Sequence, residues 1–133
     1  MISKSASNAI KAMEKIGIKR FVGLGTLGAG RSWKKIPLIL KLIVSASNLK
    51  HAFRDHGKQE ELLERSSLDY TICRTPMLSE ERNDNGTVTT PEGMPPASRV
   101  LSRNAPAGFF LDIIENNEHI RETISLSNKP ATV

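Results

Sequence analysis

The feature that most constrains this chain is the tight succession of helix, glycine and strand near its start. Ala6, Ala9, Ile10 and Met13 recur at helical spacing and draw one apolar stripe along residues 3–16. Gly17 stands where a helix C-terminus takes a residue of positive φ. Residues 18–24, Ile-Lys-Arg-Phe-Val-Gly-Leu, follow at once as a strand. So short a connection is an α/β joint.

The pattern then repeats. Residues 36–52 read as a helix, with Leu38, Ile39, Leu42, Ile43 and Ala46 on one side. Residues 55–66 read as a polar amphipathic helix anchored by Leu62 and Leu63. Residues 68–74 form a second strand, stopped by Thr75-Pro76. Residues 79–97 hold Asn85-Gly86 and a group of prolines, so they read as turns around a short strand at 87–90. Residues 98–101 are a further short extended piece. Asn104 is placed to N-cap a helix with Pro106 in its first turn, burying Ala107, Phe110, Leu111 and Ile114. Residues 123–127 are the last strand.

Strands separated by helices imply a parallel sheet with right-handed crossovers. The fold class is therefore α/β, a partial doubly wound, Rossmann-like parallel sheet. Only three main strands are present, and the chain opens on a helix. At 133 residues it has room for one ordinary domain. We read residues 1–133 as a single unit.

Other classes fall away. The apolar stretch at 36–44 is interrupted by Pro37 and Lys41 and is too short to span a bilayer. No secretory signal is visible, and the one cysteine, Cys73, allows no internal disulfide. These features fit a reducing, cytoplasmic setting with no membrane partner. The formal net charge is +5. The basic residues are spread thinly and without interleaved aromatics, which speaks against nucleic acid as a partner. They serve as solvated surface, or as a positive field that attracts a phosphate-bearing small molecule.

Gly23-Leu24-Gly25-Thr26-Leu27-Gly28 matches G-x-G-x-x-G straight after a strand. In a dinucleotide site such glycines let the backbone approach a pyrophosphate at a helix N-terminus. Here no helix starts within the motif and no strand follows until residue 68. The alternative is a glycine-rich strand-end loop, which can still line a ligand crevice. His51, His56, His119 and Cys73 lack metal-ligand spacing, so no metal is expected. Tyr70 reads as a core residue. Glu60, Glu61 and Glu64 read as a solvated helix face.

Several segments carry a resemblance. Gly17-Ile18-Lys19-Arg20-Phe21-Val22 with Thr26-Leu27-Gly28-Ala29-Gly30 resembles the "GVKRfV…SSLGAG" strand and loop of atypical short-chain dehydrogenase/reductases. "EELLERSSLDYTICRTP", from Glu60 to Pro76, resembles that family's "E..L..SGLDYTIVRPP". Ser98-Arg99-Val100-Leu101-Ser102-Arg103, with Ala107-Gly108-Phe109-Phe110-Leu111 after it, is similar to the segment "I(S)R.DVA.FIL". The matches fall in order over nearly the whole chain. They point to the branch of NAD(P)H-binding, NmrA-like and flavin reductase (biliverdin reductase B)-like proteins. On this resemblance the chain corresponds to the C-terminal two thirds of an NAD(P)-binding domain. The family's first strand and G-x-x-G-x-x-G turn have no counterpart in it.

The resemblance implies NAD or NADP as cofactor and a small-molecule substrate. It implies cofactor contacts at Leu24, Gly25, Thr26, Arg74, Thr75, Pro76, Met77 and Leu78. It also implies catalytic roles for Thr26, at the strand end beside the nicotinamide, and for His56, near the position of the classical lysine. The alternative for Thr26 is a hydroxyl that caps loop backbone. The family's Tyr-x-x-x-Lys pair is absent, Thr75 replaces a proline, and Met77 stands where the flavin reductase branch has a histidine. Two functions follow: hydride transfer from NAD(P)H to a small flat acceptor such as a flavin or quinone, or nucleotide sensing without chemistry, as in NmrA-like proteins. Homodimerisation through an exposed sheet edge is expected as well.

Overall fold

The computed structural model describes residues 1–82 and 85–130. Helix α1 (Ile2–Ile16) ends at Gly17, whose φ of 78° is left-handed, and the amides of Gly17 and Ile18 both donate to the Met13 carbonyl. The Met13 carbonyl, an acceptor of the last helical turn, is satisfied there, and the chain turns directly into strand β1 (Arg20–Thr26). At the other end of α1, Asp55 supplies the cap from a different element. Its carboxylate accepts from the Met1 amine at 2.7 Å, from the Ser3 amide at 3.2 Å and from the Ser3 hydroxyl. These bonds hold the Asp55 carboxyl well below its ordinary range, against a small opposing effect of burial.

A six-residue 3-10 helix (Gly30–Lys35), α2 (Leu38–Ala46) and α3 (Leu49–Arg65) come next. Strands β2 (Asp69–Thr75), β3 (Met77–Ser79), β4 (Thr87–Pro91) and β5 (Val100–Ser102) precede α4 (Ala105–Glu115) and β6 (Glu122–Asn128). The main sheet has the order β1-β2-β6-β4. β1, β2 and β6 run parallel, and β4 is antiparallel to β6. β3 and β5 form a small parallel pair of their own.

β2 is buried without interruption from Tyr70 to Thr75, as a parallel strand covered on both faces must be. Its side chains alternate between two cores. Tyr70 and Ile72 pack with Ile10 of α1 and with Leu63 and Leu68. Cys73 packs on the other face with Leu101 and Leu126, against Leu78, Phe109 and Phe110. Burying each such aliphatic side chain contributes about 1.5–3 kcal/mol. The same burial pushes the Cys73 thiol up to about 12.

The three parallel strands and the helices on both faces agree with the sequence reading. Five local expectations need correction. The helix predicted over 36–52 is broken. Pro37, with its fixed φ, starts α2 as N-cap, and Ser47 leaves helical geometry at ψ 168° while its hydroxyl accepts from the Leu49 amide. The apolar side of α2 also faces solvent: Leu38 and Ile39 are 73% and 71% exposed, and Val44 is the buried residue. β3 was not anticipated, because its partner β5 is distant in sequence. Asn104 makes no capping bond, since its own φ and ψ of −82° and −17° are already helical. In that helix Pro106 and Ile113 are the buried residues, while Ala107, Leu111 and Ile114 are exposed and Phe110 is half-buried.

Candidate functional site

The parallel register sets the carboxyl ends of β1 and β2 side by side. Leu24 lies opposite Cys73, Gly25 opposite Arg74 and Thr26 opposite Thr75. The Leu27 amide donates to the Thr75 carbonyl at 3.1 Å. The Thr75 hydroxyl, buried, donates to the Gly25 carbonyl at 3.4 Å. Five of the sequence-predicted cofactor residues therefore meet at one strand end, where parallel sheets present ligands.

The loop after Thr26 is held by its own bonds. The Ala29 amide donates to the Thr26 carbonyl at 3.2 Å, and the Ser32 hydroxyl accepts from the Gly28 amide at 2.8 Å. Gly30 needs its bare backbone, because a Cβ there would stand 2.1 Å from the Glu60 carboxylate. A Cβ on Gly57 would press within 3.2 Å of the Gly30 amide nitrogen, so loop and α3 touch backbone to backbone. Gly23 and Gly25 lie inside β1 and face Gln59 and Glu60 of α3. The G-x-G-x-x-G run is thus a strand end and loop packed on a helix flank, not a phosphate cradle at a helix N-terminus.

Behind the strand ends lies an ion-pair network that the sequence reading missed. Arg74 is 3% exposed. Its Nε and Nη2 donate to the two Glu60 oxygens at 2.9 and 2.8 Å, and Nη1 donates to Glu92 at 3.0 Å. Burial by itself would lower the Arg74 pKa, and the two carboxylates more than offset it, so the net direction is upward. Glu60 is no solvated residue: it is 4% exposed and paired. Glu64 pairs with Arg31 at 2.9 Å. The spacing of a buried Glu on α3 and an Arg fourteen residues later on β2 leaves no local signal.

The remaining predicted residues are spread out. Pro76 is half-buried, Met77 is exposed, and Leu78 packs into the second core. Thr26 is half-buried, and its hydroxyl makes no hydrogen bond among the described residues. Alternation along β1 puts Thr26 on the face opposite α3, the helix that carries His56. The two are not hydrogen-bonded. On α3, the His56 Nδ1 and Gln59 Oε1 atoms are buried without a partner. Such atoms are uncommon and ask for a ligand or water. Tyr70, the chain's one tyrosine, lies at the amino end of β2 opposite Phe21, away from the strand ends.

No helix among the described residues is long and apolar enough to cross a membrane. A family profile described as NAD(P)H-binding matches residues 2–117. No curated protein matches the chain. Solved structures do. A Rossmann-fold NAD(P)-binding family protein from Shigella flexneri is 26% identical, with TM-score 0.71 over 98% of this chain and 56% of that one. A wide-type short-chain dehydrogenase/reductase from Veillonella parvula, solved with NADP, is 21% identical, with TM-score 0.78 over 98% of this chain and 63% of that one. An anaerobilin reductase from Escherichia coli O157:H7 is 23% identical, with TM-score 0.76 over 95% of this chain and 59% of that one. The chain spans less than two thirds of the length of each.

Proposed function

The chain belongs to the NAD(P)H-binding family, whose cofactor is NAD or NADP, and on that premise we propose that it serves hydride transfer from NAD(P)H to a small flat acceptor such as a flavin or quinone. One observation carries this: the strand ends at Gly25–Thr26 and Thr75–Pro76 meet at one point of a parallel sheet, beside a glycine-rich loop. Gln59, whose Oε1 is buried without a partner, reaches Gly23 of the same strand from α3.

Bound NAD(P)H supplies the hydride. The chain's own residues supply position. Gly25 and Thr26 with Thr75 and Pro76 offer the nicotinamide end a wall of strand backbone and small side chains, with Leu24 and Met77 exposed beside it and Leu78 packed behind it in the second core. The free Thr26 hydroxyl orients the carboxamide or the acceptor. The His56 imidazole, carried by α3 on the other face of β1, takes part only if the bound ligand reaches round the strand end. Arg74 acts from behind, by fixing α3 against β2 through Glu60. The described residues fit the nicotinamide end and offer the pyrophosphate no cradle. The same reading takes residues 1–133 as one cytoplasmic domain. It also has the open edge of β1 pair with a second copy.

The test is amide-resolved titration of NADPH and of nicotinamide mononucleotide. Both are expected to shift Gly25, Thr26 and Thr75, with similar affinity because none of the described residues grips the pyrophosphate. Shifts confined to other residues sink the reading. Oxidation of NADPH by a flavin or quinone, followed by absorbance, tests the chemistry.

The placement of Tyr70 favours a second reading, a non-catalytic NmrA-like nucleotide sensor. The one tyrosine is committed to the α1–α3 core, with the Arg121 guanidinium 5.1 Å over its ring. Nucleotide binding without acceptor reduction would select that reading.

A further inference from the structure

A second concavity lies beside the strand-end loop, between the 3-10 helix, the end of α2 and the first half of α3. It is an open concavity of about 570 Å³, lined by Trp33, Phe53, Lys50, Arg54 and Lys58, among others. We propose that it receives a flat ligand bearing an acid group, a carboxylate or a phosphate.

Size and wall chemistry set the body of the ligand. The volume is that of an ordinary small-molecule site and suits a fused-ring body. Trp33 and Phe53 meet edge to face, with centroids 6.1 Å apart and planes at 72°. Two rings held at that angle offer one face and one edge to a planar guest. Gly28, Gly30 and Gly57 also line it, with Gly57 closed against Gly30. Gly28 is two residues from Thr26, so the cavity abuts the strand-end loop.

Charge sets the other end. Lys50, Arg54 and Lys58 stand at i, i+4 and i+8 on α3, so they share a face. None of the three makes an ion pair or side-chain hydrogen bond among the described residues. Arg20, Arg31, Arg74, Arg103 and Arg121 each have oxygen partners, while Arg65 and Arg99 are as unpaired as Arg54, so it is the position of these three cations around one concavity that sets them apart. The lining holds one carboxylate, Glu61, against the three cations. Cations along a helix are ordinarily a solvated face. Here they rim a concave aromatic site, where the low-dielectric wall strengthens their pull on an anion. A guanidinium takes a carboxylate or phosphate in bidentate fashion, which singles out Arg54 as the anchor. Taking this ligand as the hydride acceptor rests on the reading above; its binding does not.

The experiment uses three probes with one aromatic body: naphthyl phosphate, naphthoate and neutral naphthol. Calorimetry gives their affinities for the full chain without cofactor. Trp33 is the chain's one tryptophan, so its emission reports whether they enter this cavity. At least one anion is expected to bind about tenfold tighter than naphthol and to perturb Trp33. The tighter of the two anions identifies the acid group. Arg54→Ala with Lys58→Ala should cost the anion about tenfold, leave naphthol unchanged, and leave the melting curve in place, while Arg54→Lys retains part of the affinity. Should the double variant fail to fold, Arg54→Gln alone carries the same comparison. Naphthol binding as tightly as both anions, anion binding that ignores the cation substitutions, or no change at Trp33 overturns the proposal. Anions that bind here while NADPH leaves Gly25 and Thr26 untouched would overturn the cofactor reading alone.

Discussion

Strands β1 and β2 are aligned residue for residue, yet they lie in opposite environments. β2 has a strand on either side, a core on each face, and every residue from Tyr70 to Thr75 buried. β1 has one hydrogen-bonded neighbour, and Leu24 is 37% exposed. The region around β2 holds the fold together. The region around β1, with its loop, the 3-10 helix and α2, carries unsatisfied polar atoms, unpaired cations and exposed apolar side chains. Cohesion is thus concentrated along β2, while the candidate chemistry lies at the carboxyl end that β2 shares with β1 and spreads to the β1 side, and this contrast can be tested from either side.

The largest effect is expected at Arg74. Arg74→Ala leaves Glu60 buried without its partner and should destabilise by about 3–5 kcal/mol in chemical denaturation. A loss under about 1 kcal/mol would mean that the network is solvated. Next comes the apolar part of the same region: Ile72→Ala should cost about 2–5 kcal/mol, since Ile72 is 2% exposed and sits inside the first core. On the β1 side, Leu24→Lys should shift stability by less than about 1 kcal/mol while reducing self-association in light scattering, because edge lysines oppose strand pairing. Association that survives this change would place the contact elsewhere.

A smaller effect is pH-dependent. The Asp55 carboxyl is depressed in the folded chain by the Met1 amine and Ser3. Its contribution is therefore fully present above the ordinary carboxylate value of 3.8 and is lost as pH falls below it. Asp55→Asn should flatten the acid limb of the stability profile and leave neutral pH less stable than in the parent chain. The smallest effect belongs to α2: Ile39→Ser should stay within about 0.5 kcal/mol, because Ile39 is already 71% exposed.

The same division decided what could be read from the sequence. The strand predicted at 68–74 is observed as Asp69–Thr75, and that at 123–127 as Glu122–Asn128, because a covered strand writes its burial into consecutive residues. Gly17 was legible because only a left-handed terminus asks for glycine directly before a strand. The adjacency of Thr26 and Thr75 followed from the parallel order and the family resemblance together. Features that depend on distant partners were not legible. The β3–β5 pair joins Met77 to Val100, and Glu60 looks like any surface glutamate until Arg74 is folded beneath it. The Leu and Ile residues of α2 misled in the opposite sense: they have the spacing of a core helix and face water. Lys50, Arg54 and Lys58 did carry a signal in their four-residue spacing, but only Trp33 and Phe53, brought in by the 3-10 helix and α3, turn it into a site.

Cys73 gives the molecule a property of a different kind. Its side chain is fully covered between β5, β6 and α4, and its thiol stays protonated through the neutral range. A soluble thiol reagent can reach it only after the sheet has come apart. With one cysteine in the sequence, each modified chain records one such opening. The labelling rate in native buffer therefore reads the frequency of opening at the centre of the fold, with no denaturant and no introduced probe. Ligands that occupy the strand ends or the Trp33 cavity should slow that rate in proportion to how much they favour the closed chain. One buried sulfur becomes a clock against which each proposed binding event can be timed.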